Sequence, residues 1–270
     1  MKYLKQFETT AAYEAAQSSL ILPNVSLTLD NNTVHYSPLV ESQFFCKITT
    51  LYGGTISIEG SGELTEGMVD SVIEEYKSEI VRAEIGTLCT SIGNDAFRGA
   101  SITSIDLPDS VTSIGDGAFD GCIGLTEVTI GSGLTSIGNH AFGSCEGLTS
   151  ITIPGNVTSI GVSAFYHCYG LTEVTIGNGV TSIGNDAFYV CSGLTSITIP
   201  NSVTTIGNGA FEACSVLTSV TVNATTPPTL GNSAFDNTNN CPIYVPIGSV
   251  YTYESASGWN TYAGRIEAIP

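Results

Sequence analysis

The chain has 270 residues, of which 42% are hydrophobic and 12% are charged, and its formal net charge is −18. This composition is typical of a folded chain, and the length suits one elongated domain or two compact ones. Beyond Arg82 the basic residues are Arg98 and Arg265. So few cations argue against nucleic-acid binding and against attachment to an anionic membrane surface. No apolar run approaches the ~20 residues of a membrane span, so we expect no direct membrane insertion.

Residues 1–45 are interpreted as a small N-terminal module. The stretch FETTAAYEAAQ has helical propensity, and PNVSLTLDNNTVHYSP alternates apolar residues on both sides of an Asp-Asn-Asn turn, which predicts a β-hairpin. The first residues include lysines but lack the apolar core of roughly 7–15 residues that marks a signal peptide. Three histories stay open: a signal peptide was removed, the protein leaves the cell by another route, or it stays inside.

Residues 46–79 are predicted to cap the N-terminal end of the region that follows. The stretch GGTISIEG indicates a strand. Apolar residues then recur at i, i+3 and i+4, which is typical of an amphipathic helix. These residues are Met68, Val69, Val72, Ile73 and Tyr76.

A repeat of about 23 residues occupies residues 80–239. The dipeptide Ala-Phe returns after 22, 23 or 24 residues, and an Ile-Gly or Leu-Gly pair begins five residues before each Phe. An L-x-x-L-x-L pattern opens each unit from Ile80 onward, which gives about seven units. The repeated phenylalanines are Phe97, Phe119, Phe142, Phe165, Phe188, Phe211 and Phe235.

Each unit is predicted to contain two short strands and one compact turn. The alternation in SITIP or EVTIG predicts the first strand, which a Gly or Pro ends, and VTSIG predicts a second extended piece. The segment NDAFYVCS is predicted to form a turn of helix that buries its Ala, Phe and Cys. One unit cannot bury its apolar stripes alone, whereas stacked units form a continuous core. The predicted fold is a repeat solenoid, mainly β, with short turns or helical segments and a cap at each end.

The cysteines of the repeats are predicted to be reduced core residues. Five of the eight cysteines stand 23 residues apart, without a CxxC pair and without nearby histidines in metal-ligand spacing. A small residue at one fixed position of each unit is typical of a buried, stacked site. The five are Cys122, Cys145, Cys168, Cys191 and Cys214. The spacing does not assign Cys46 and Cys241.

Residues 240–270 break the period and are predicted to form the C-terminal cap. Ile243 and Val245 alternate as a last strand, and SVYTYESA predicts a short helix with Ser249 as its N-cap. The hydrophobic residues beyond it are interpreted as cap packing and not as a platform for sugars. They are Trp259, Tyr262 and Ile266.

The repeats resemble those of the BspA-like leucine-rich repeat surface proteins of the Bacteroidetes type, whose units read LTSITIPxSVTSIGxxAFxxC. The resemblance covers roughly residues 80–239. The Asn of ordinary leucine-rich repeats is irregular, because Asn156 fits whereas Gly179 and Ser202 stand at the equivalent positions. The resemblance implies a right-handed leucine-rich-repeat superhelix with a strand-lined concave face. It also implies a bacterial surface or secreted protein that adheres to host matrix or cell-surface proteins.

No residues are spaced for catalysis, for cofactor binding or for metal binding. A Cys168–His167 dyad is disfavoured because adjacent residues in a turn usually diverge, and His140 is expected at an exposed turn position. Glu127 and Glu173 lie two units apart, about 10 Å by strand spacing, which exceeds the separation in retaining glycosidases and reaches only the edge of the inverting range. The Asp-containing turns lack the dense ligand spacing of a calcium loop. We therefore expect no enzyme activity, no cofactor and no metal.

The outward positions of the first strand in each unit form the candidate partner-binding surface, because solenoids bind partners through extended sheets. The hypothesis is a non-enzymatic protein-binding protein. The alternative is a structural spacer, or an appendage component of a phage-like or surface assembly, with no ligand of its own. The candidate residues are Asp106, Glu127, Thr129, Ser150, Thr152, Glu173, Thr175, Ser196 and Thr198.

Overall fold

The computed structural model describes residues 27–30, 33–36, 46–50, 55–58, 62–65 and 80–270. Strands β1 (Leu27–Asp30) and β2 (Thr33–Tyr36) form an antiparallel pair where the sequence predicts a hairpin, with Asp30 opposite Thr33. The helices predicted within residues 1–26 and 66–79 lie outside the described residues. The division into a module at 1–45, a cap at 46–79, repeats at 80–239 and a cap at 240–270 stays a prediction.

Seven four- to six-residue strands, called the long strands, return once per unit and run parallel in register. Ile151 lies beside Val174 and Thr152 beside Thr175, so equivalent residues of successive units become neighbours. The long strands are β6 (Ile80–Ile85), β8 (Ser104–Leu107), β10 (Glu127–Ile130), β12 (Ser150–Ile153), β14 (Glu173–Ile176), β16 (Ser196–Ile199) and β18 (Ser219–Val222).

Short strands form a second parallel sheet, which confirms the second extended piece of each unit. In this eight-stranded sheet Ile137 lies between Ile114 and Ile160. Its first strand precedes Ile80, so backbone stacking begins earlier than the repeat pattern indicates. The strands are β5 (Gly62–Leu64), β7 (Cys89–Ile92), β9 (Ser113–Ile114), β11 (Ser136–Ile137), β13 (Ser159–Ile160), β15 (Ser182–Ile183), β17 (Thr205–Ile206) and β19 (Thr229–Leu230).

The Ala-Phe segment is a run of turns, so the predicted turn of helix is wrong. Around Phe142, both His140 (φ 52°) and Ser144 (φ 53°) are left-handed. These left-handed residues redirect alternate N–H groups toward the next unit. The N–H of Phe142 donates to the Ala164 carbonyl at 2.8 Å, for example. A helix would keep these bonds within its own segment, whereas the alternation makes a third ladder between units.

Ring stacking continues through all seven repeat phenylalanines in the core. Neighbouring ring centroids lie 5.1–5.5 Å apart with interplanar angles of 2–9°. The last ring, Phe235, meets Trp259 at 5.8 Å and Tyr262 edge-on at 5.8 Å. The three ladders therefore enclose one apolar column, whose end is covered by aromatic residues of the tail.

All eight cysteines are buried, reduced thiols, which confirms the prediction for the five at 23-residue spacing and extends it to Cys46, Cys89 and Cys241. Burial raises the pKa of Cys168 to about 12 and that of Cys89 to about 11. Desolvation is the largest cause at both positions, because it disfavours the thiolate. These thiols are part of the packing and are poor nucleophiles.

The glycine after each short strand is required by close backbone approach. A Cβ on Gly161 would lie 2.4 Å from both the carbonyl carbon and the carbonyl oxygen of Gly138. Successive units therefore approach closely at the end of the short strand, which accounts for the recurring Ile-Gly and Leu-Gly pairs.

Two antiparallel strands extend the sheet on one side of β6, the first long strand. Strand β3 (Cys46–Thr50) pairs with β6 on one side and with β4 (Thr55–Ile58) on the other. Cys46 and Ile48 are fully buried. A reversed strand at this edge covers backbone groups that an eighth repeat would otherwise have paired.

The C-terminal tail adds two parallel strands, so the strand at Ile243 is confirmed but is not the last. Strand β20 (Ile243–Val245) pairs with β18, and β21 (Ile266–Ala268) pairs with β20. Between them lie 3-10 helices at Ile247–Ser249 and Trp259–Arg265 and helix α1 (Val250–Ser255). Ser249 stands at the N-cap of α1 but makes no side-chain capping bond, because it ends the preceding 3-10 turn and is buried.

The residues interpreted as cap packing are buried, which confirms that interpretation. Trp259 is fully buried, and its indole Nε1 donates to the Pro228 carbonyl at 2.7 Å. Arg265 donates from Nε to the Cys241 carbonyl at 2.8 Å and from Nη1 to the Phe235 carbonyl at 3.1 Å. The cap thus satisfies carbonyl groups that lack a following unit.

Candidate functional site

The nine predicted partner-binding residues all lie exposed on one surface, called the long-strand face. They occupy the outward positions of β8, β10, β12, β14 and β16, while the alternate residues enter the core. The members are Asp106, Glu127, Thr129, Ser150, Thr152, Glu173, Thr175, Ser196 and Thr198.

The long-strand face consists of two side-by-side columns. Glu127 lies next to Ser104 and Glu173 next to Ser150, in the column that opens each strand. Thr129 lies next to Asp106 and Thr152 next to Thr175, in the column two residues further on. Hydrogen-bonded pairing joins β8 to β10, β12 to β14 and β16 to β18, so the columns cross three separately paired sheets. The arrangement is an extended surface.

Charge on this face changes from mixed to acidic along the solenoid. At the first unit Arg82 pairs with Glu84 at 3.4 Å, and Lys47 on β3 pairs with Glu84 at 3.8 Å. Glu84 lies beside Asp106 across the β6–β8 pair. From β8 through β18 the face carries carboxylates and hydroxyls and, among the described residues, no cation. A partner bound there meets a negative potential.

Threonines that precede the long strands from β8 to β18 form a hydrogen-bonded ladder that the sequence analysis did not detect. The Thr149 hydroxyl donates to the Thr126 carbonyl at 3.3 Å, and the Thr172 hydroxyl donates to the Thr149 carbonyl at 3.0 Å. Each hydroxyl satisfies a carbonyl one unit back, so these side chains are held in one orientation. A threonine at a fixed position of each unit was the available signal.

A second ladder of Asn and Asp side chains, three residues before each Phe, was also missed. The Asp116 N–H donates to Asn94 Oδ1 at 2.8 Å, and the Asn139 N–H donates to Asp116 Oδ1 at 2.7 Å. The Val162 N–H donates to Asn139 Oδ1 at 2.8 Å, but Val162 has no side-chain oxygen to accept a bond from the next unit. The bonds resume where Asn208 N–H donates to Asn185 Oδ1 at 2.8 Å.

Among residues 80–270, neither His140 nor His167 is paired with a nucleophile. The Cys168 thiol is buried and donates to the Phe142 carbonyl at 3.1 Å, while the His167 ring lies 3.7 Å from the Tyr166 ring on the outer side. The two adjacent side chains diverge, as predicted. His140 is exposed, also as predicted.

The carboxylates Glu127 and Glu173 lie on strands separated by β12, and both are exposed. Within the described residues, no group of three His, Cys, Asp or Glu side chains is placed to hold a metal ion. The same part of the chain contains no helix long and apolar enough to cross a membrane. Nothing in this geometry points to catalysis.

Comparison with solved structures finds bacterial leucine-rich repeat proteins, and the likeness in fold rests on the first of them. A leucine-rich repeat protein of T. pallidum is 26% identical with a TM-score of 0.56, over 76% of this chain and 91% of that one. A leucine-rich repeat protein from Bacteroides ovatus is 20% identical with a TM-score of 0.30, over 83% of this chain and 70% of that one. A leucine-rich cell surface protein from Faecalibacterium prausnitzii is 22% identical with a TM-score of 0.32, over 82% of this chain and 74% of that one.

A comparison with curated proteins finds no match. The model of the BspA type leucine-rich repeat region matches six copies, over residues 90–215 and 181–257. Repeats of this kind are generally non-enzymatic scaffolds that bind proteins. The match spans more than half of the chain, and the solenoid, the stacked phenylalanines and the repeated cysteines agree with it. The chain therefore belongs to the BspA-type leucine-rich repeat family.

Proposed function

We propose that this chain is a non-enzymatic adhesion or interaction protein, at the bacterial surface or secreted, and that it binds a protein partner through the long-strand face. The observation that carries the proposal is the exposed, in-register array of polar side chains on stacked strands. Solenoids present such arrays on a rigid support, so a partner can be bound without ordering the backbone first. Host matrix or cell-surface proteins are the proposed partners.

The charge of the face indicates the kind of surface it fits. Asp106, Glu127 and Glu173 project from β8, β10 and β14, with hydroxyl groups between them. A complementary partner carries basic and hydrogen-bonding side chains, and its association slows as salt screens the attraction. The extended form of the array fits a broad protein contact better than a small molecule.

Direct binding tests this proposal. The purified chain is titrated against fibronectin, fibrinogen, collagen and mucin, together with a Thr152→Arg/Thr175→Arg variant. Two arginines at the centre of the face reverse its charge locally and are expected to weaken binding at least tenfold. The matched control is Ser215→Arg, because Ser215 is exposed on a turn outside the long-strand face. Equal binding by both variants, or none by the parent chain at micromolar concentration, contradicts the proposal.

A second candidate function, a spacer, is favoured by the uniformity of the units. The same Thr recurs at 129, 152, 175 and 198, so the face has little individuality along its length. A spacer role depends on the number of units and not on outward residues. If the chain is a spacer, deleting one 23-residue unit alters its function, whereas the Thr152→Arg/Thr175→Arg variant does not.

A further inference from the structure

A depression of about 460 Å³ lies on the outer side of the Ala-Phe turns, here called the turn face. Residues one position after each Phe form a column, in which Asp120, Gly143 and Tyr166 are consecutive. Gly143 has no side chain, and a Cβ there would lie 2.7 Å from Asp120 Oδ1. The Asp120 carboxylate therefore occupies the space beside Gly143, and Asp120 and Tyr166 both line the depression.

The polar groups around the depression form ion pairs and hydrogen bonds with one another. Arg98 Nη1 contacts Asp95 Oδ1 at 3.3 Å, and Arg98 Nη2 contacts Asp120 Oδ2 at 3.3 Å. Asp116 accepts bonds from the main-chain N–H of Asn139 at 2.7 Å and from its side-chain Nδ2 at 3.3 Å. These contacts hold hydrogen-bond donors and acceptors in defined positions around the depression.

Tyr166 lines the depression and belongs to a cluster of aromatic side chains on the turn face. The ring centroid of Tyr166 lies 3.7 Å from that of His167 and 5.5 Å from that of Tyr189. The centroids of His167 and Tyr169 are 5.2 Å apart. None of the four rings is buried, and Tyr169 is 40% exposed. The core is already filled by the stacked phenylalanines, so these rings do not complete it. A cluster of partly exposed rings beside fixed polar groups is typical of a binding site.

We propose that this depression binds a neutral carbohydrate of one or two pyranose rings. A pyranose offers an apolar C–H face to an aromatic ring and hydroxyls that both donate and accept hydrogen bonds, which matches Tyr166 beside Arg98 and Asp120. Asp95, Asp116 and Asp120 disfavour an anionic ligand, and Arg98, which contacts Asp95 and Asp120, offsets part of their negative charge. An apolar ligand would cover these charged groups without offering them hydrogen bonds in place of water. The site lies on the turn face and is independent of the proposed use of the long-strand face.

The test uses the full chain and defined sugars. N-acetylglucosamine, galactose and mannose, and the disaccharides lactose, chitobiose and mannobiose, are titrated to about 10 mM with detection by saturation-transfer NMR and calorimetry. Choline is the cationic probe. Tyr166→Ala is expected to weaken sugar binding about tenfold, the loss of one aromatic contact. Tyr166→Phe keeps the ring and is expected to retain binding.

Two further variants separate the site from general effects of substitution. Gly143→Gln displaces the Asp120 carboxylate, because a Cβ at 143 would lie 2.7 Å from its Oδ1, and is expected to abolish binding. Tyr251→Ala removes an exposed tyrosine of the cap and is expected to change nothing. Thermal unfolding shows whether each variant is folded. The proposal is overturned if no sugar binds, if only choline binds, or if folded Tyr166→Ala and Gly143→Gln bind sugar as the parent chain does. The Thr152→Arg/Thr175→Arg variant should bind sugar normally, so failure of either proposal is recognised separately.

Discussion

The Cys168 thiol donates a hydrogen bond of 3.1 Å to the main-chain carbonyl of Phe142, which lies one unit earlier in the solenoid. The same relationship links Cys145 to Phe119 at 3.2 Å and Cys191 to Phe165 at 3.2 Å. A residue that the sequence presents as a small apolar filler thus also joins units through a polar bond. Serine could donate as well, but its hydroxyl is smaller and more costly to bury than a thiol.

Native thiols should resist modification. Each cysteine is buried, so Ellman's reagent is expected to label all eight only after unfolding in guanidinium. The physical reason is that a buried, protonated thiol neither reaches the reagent nor attacks it. Time courses with and without denaturant measure the effect. Rapid labelling of the native chain at neutral pH would contradict this prediction, because it would show that the buried cysteines become exposed without global unfolding.

Stability should fall at alkaline pH. The pKa of Cys168 is about 12 in the folded chain, against about 8.5 when unfolded, so its contribution is complete below about pH 8.5 and is lost as pH rises toward 12. In that window one such thiol lowers the free energy of unfolding by about 1.4 kcal/mol per pH unit. Denaturant melts between pH 8.5 and 10 measure the slope, and Cys168→Ala should reduce it by about that amount. An unchanged slope in the variant contradicts the assigned shift.

Val162→Asn should stabilise the chain. It places a side-chain oxygen where the Asn and Asp ladder is interrupted, so the N–H of Asn185 gains an acceptor one unit back. One such bond is worth about 1 kcal/mol. Thermal and denaturant unfolding measure the gain. The control is Val216→Asn, the same change at an exposed position outside the ladder, and equal effects of the two would argue against the ladder as the cause.

Val190→Asn should also stabilise the chain. Val190 has φ 56°, a left-handed conformation that a β-branched residue adopts at a cost of about 1–2 kcal/mol and that Asn tolerates. The expected gain in unfolding free energy is about 1 kcal/mol. Val216→Asn again serves as control, because Val216 has no positive φ. A loss of stability at position 190 would mean that the side-chain packing of Val190 outweighs its strain.

Phe165→Ala should be severely destabilising. The ring is fully buried between Phe142 and Phe188, at 5.4 and 5.1 Å, so its removal leaves a cavity in the middle of the stack. The expected cost is about 3–5 kcal/mol. The neighbouring Tyr166→Ala removes a partly exposed ring and should cost about 1 kcal/mol or less. Similar losses of unfolding free energy at the two positions would indicate that the aromatic cluster around Tyr166 stabilises the fold.

Much of the fold could be predicted because the apolar and polar residues of each unit indicate which of its side chains are buried. Ile151 and Ile153 alternate with polar residues, so a strand with one inward face follows from period alone. The nine residues of the long-strand face are outward for the same reason. The Ala-Phe segment was mispredicted as helix because its apolar spacing is compatible with one turn of helix. The left-handed angles at residues such as His140 and Ser144 depend on bonds to the next unit, which no single unit contains.

The sequence by itself determined the solenoid, its repeat length and the residues that enter its core, since these follow from the period and from the need of each unit to bury its apolar stripes. Only the tertiary structure decided what lies beside what on the outside. Asp120 and Tyr166 are 46 residues apart in the chain, yet both line one depression because Gly143 lies between them on the turn face. The sequence analysis treated those turn positions separately. Stacking brings them together, because residues one unit apart become neighbours at about the spacing of adjacent strands.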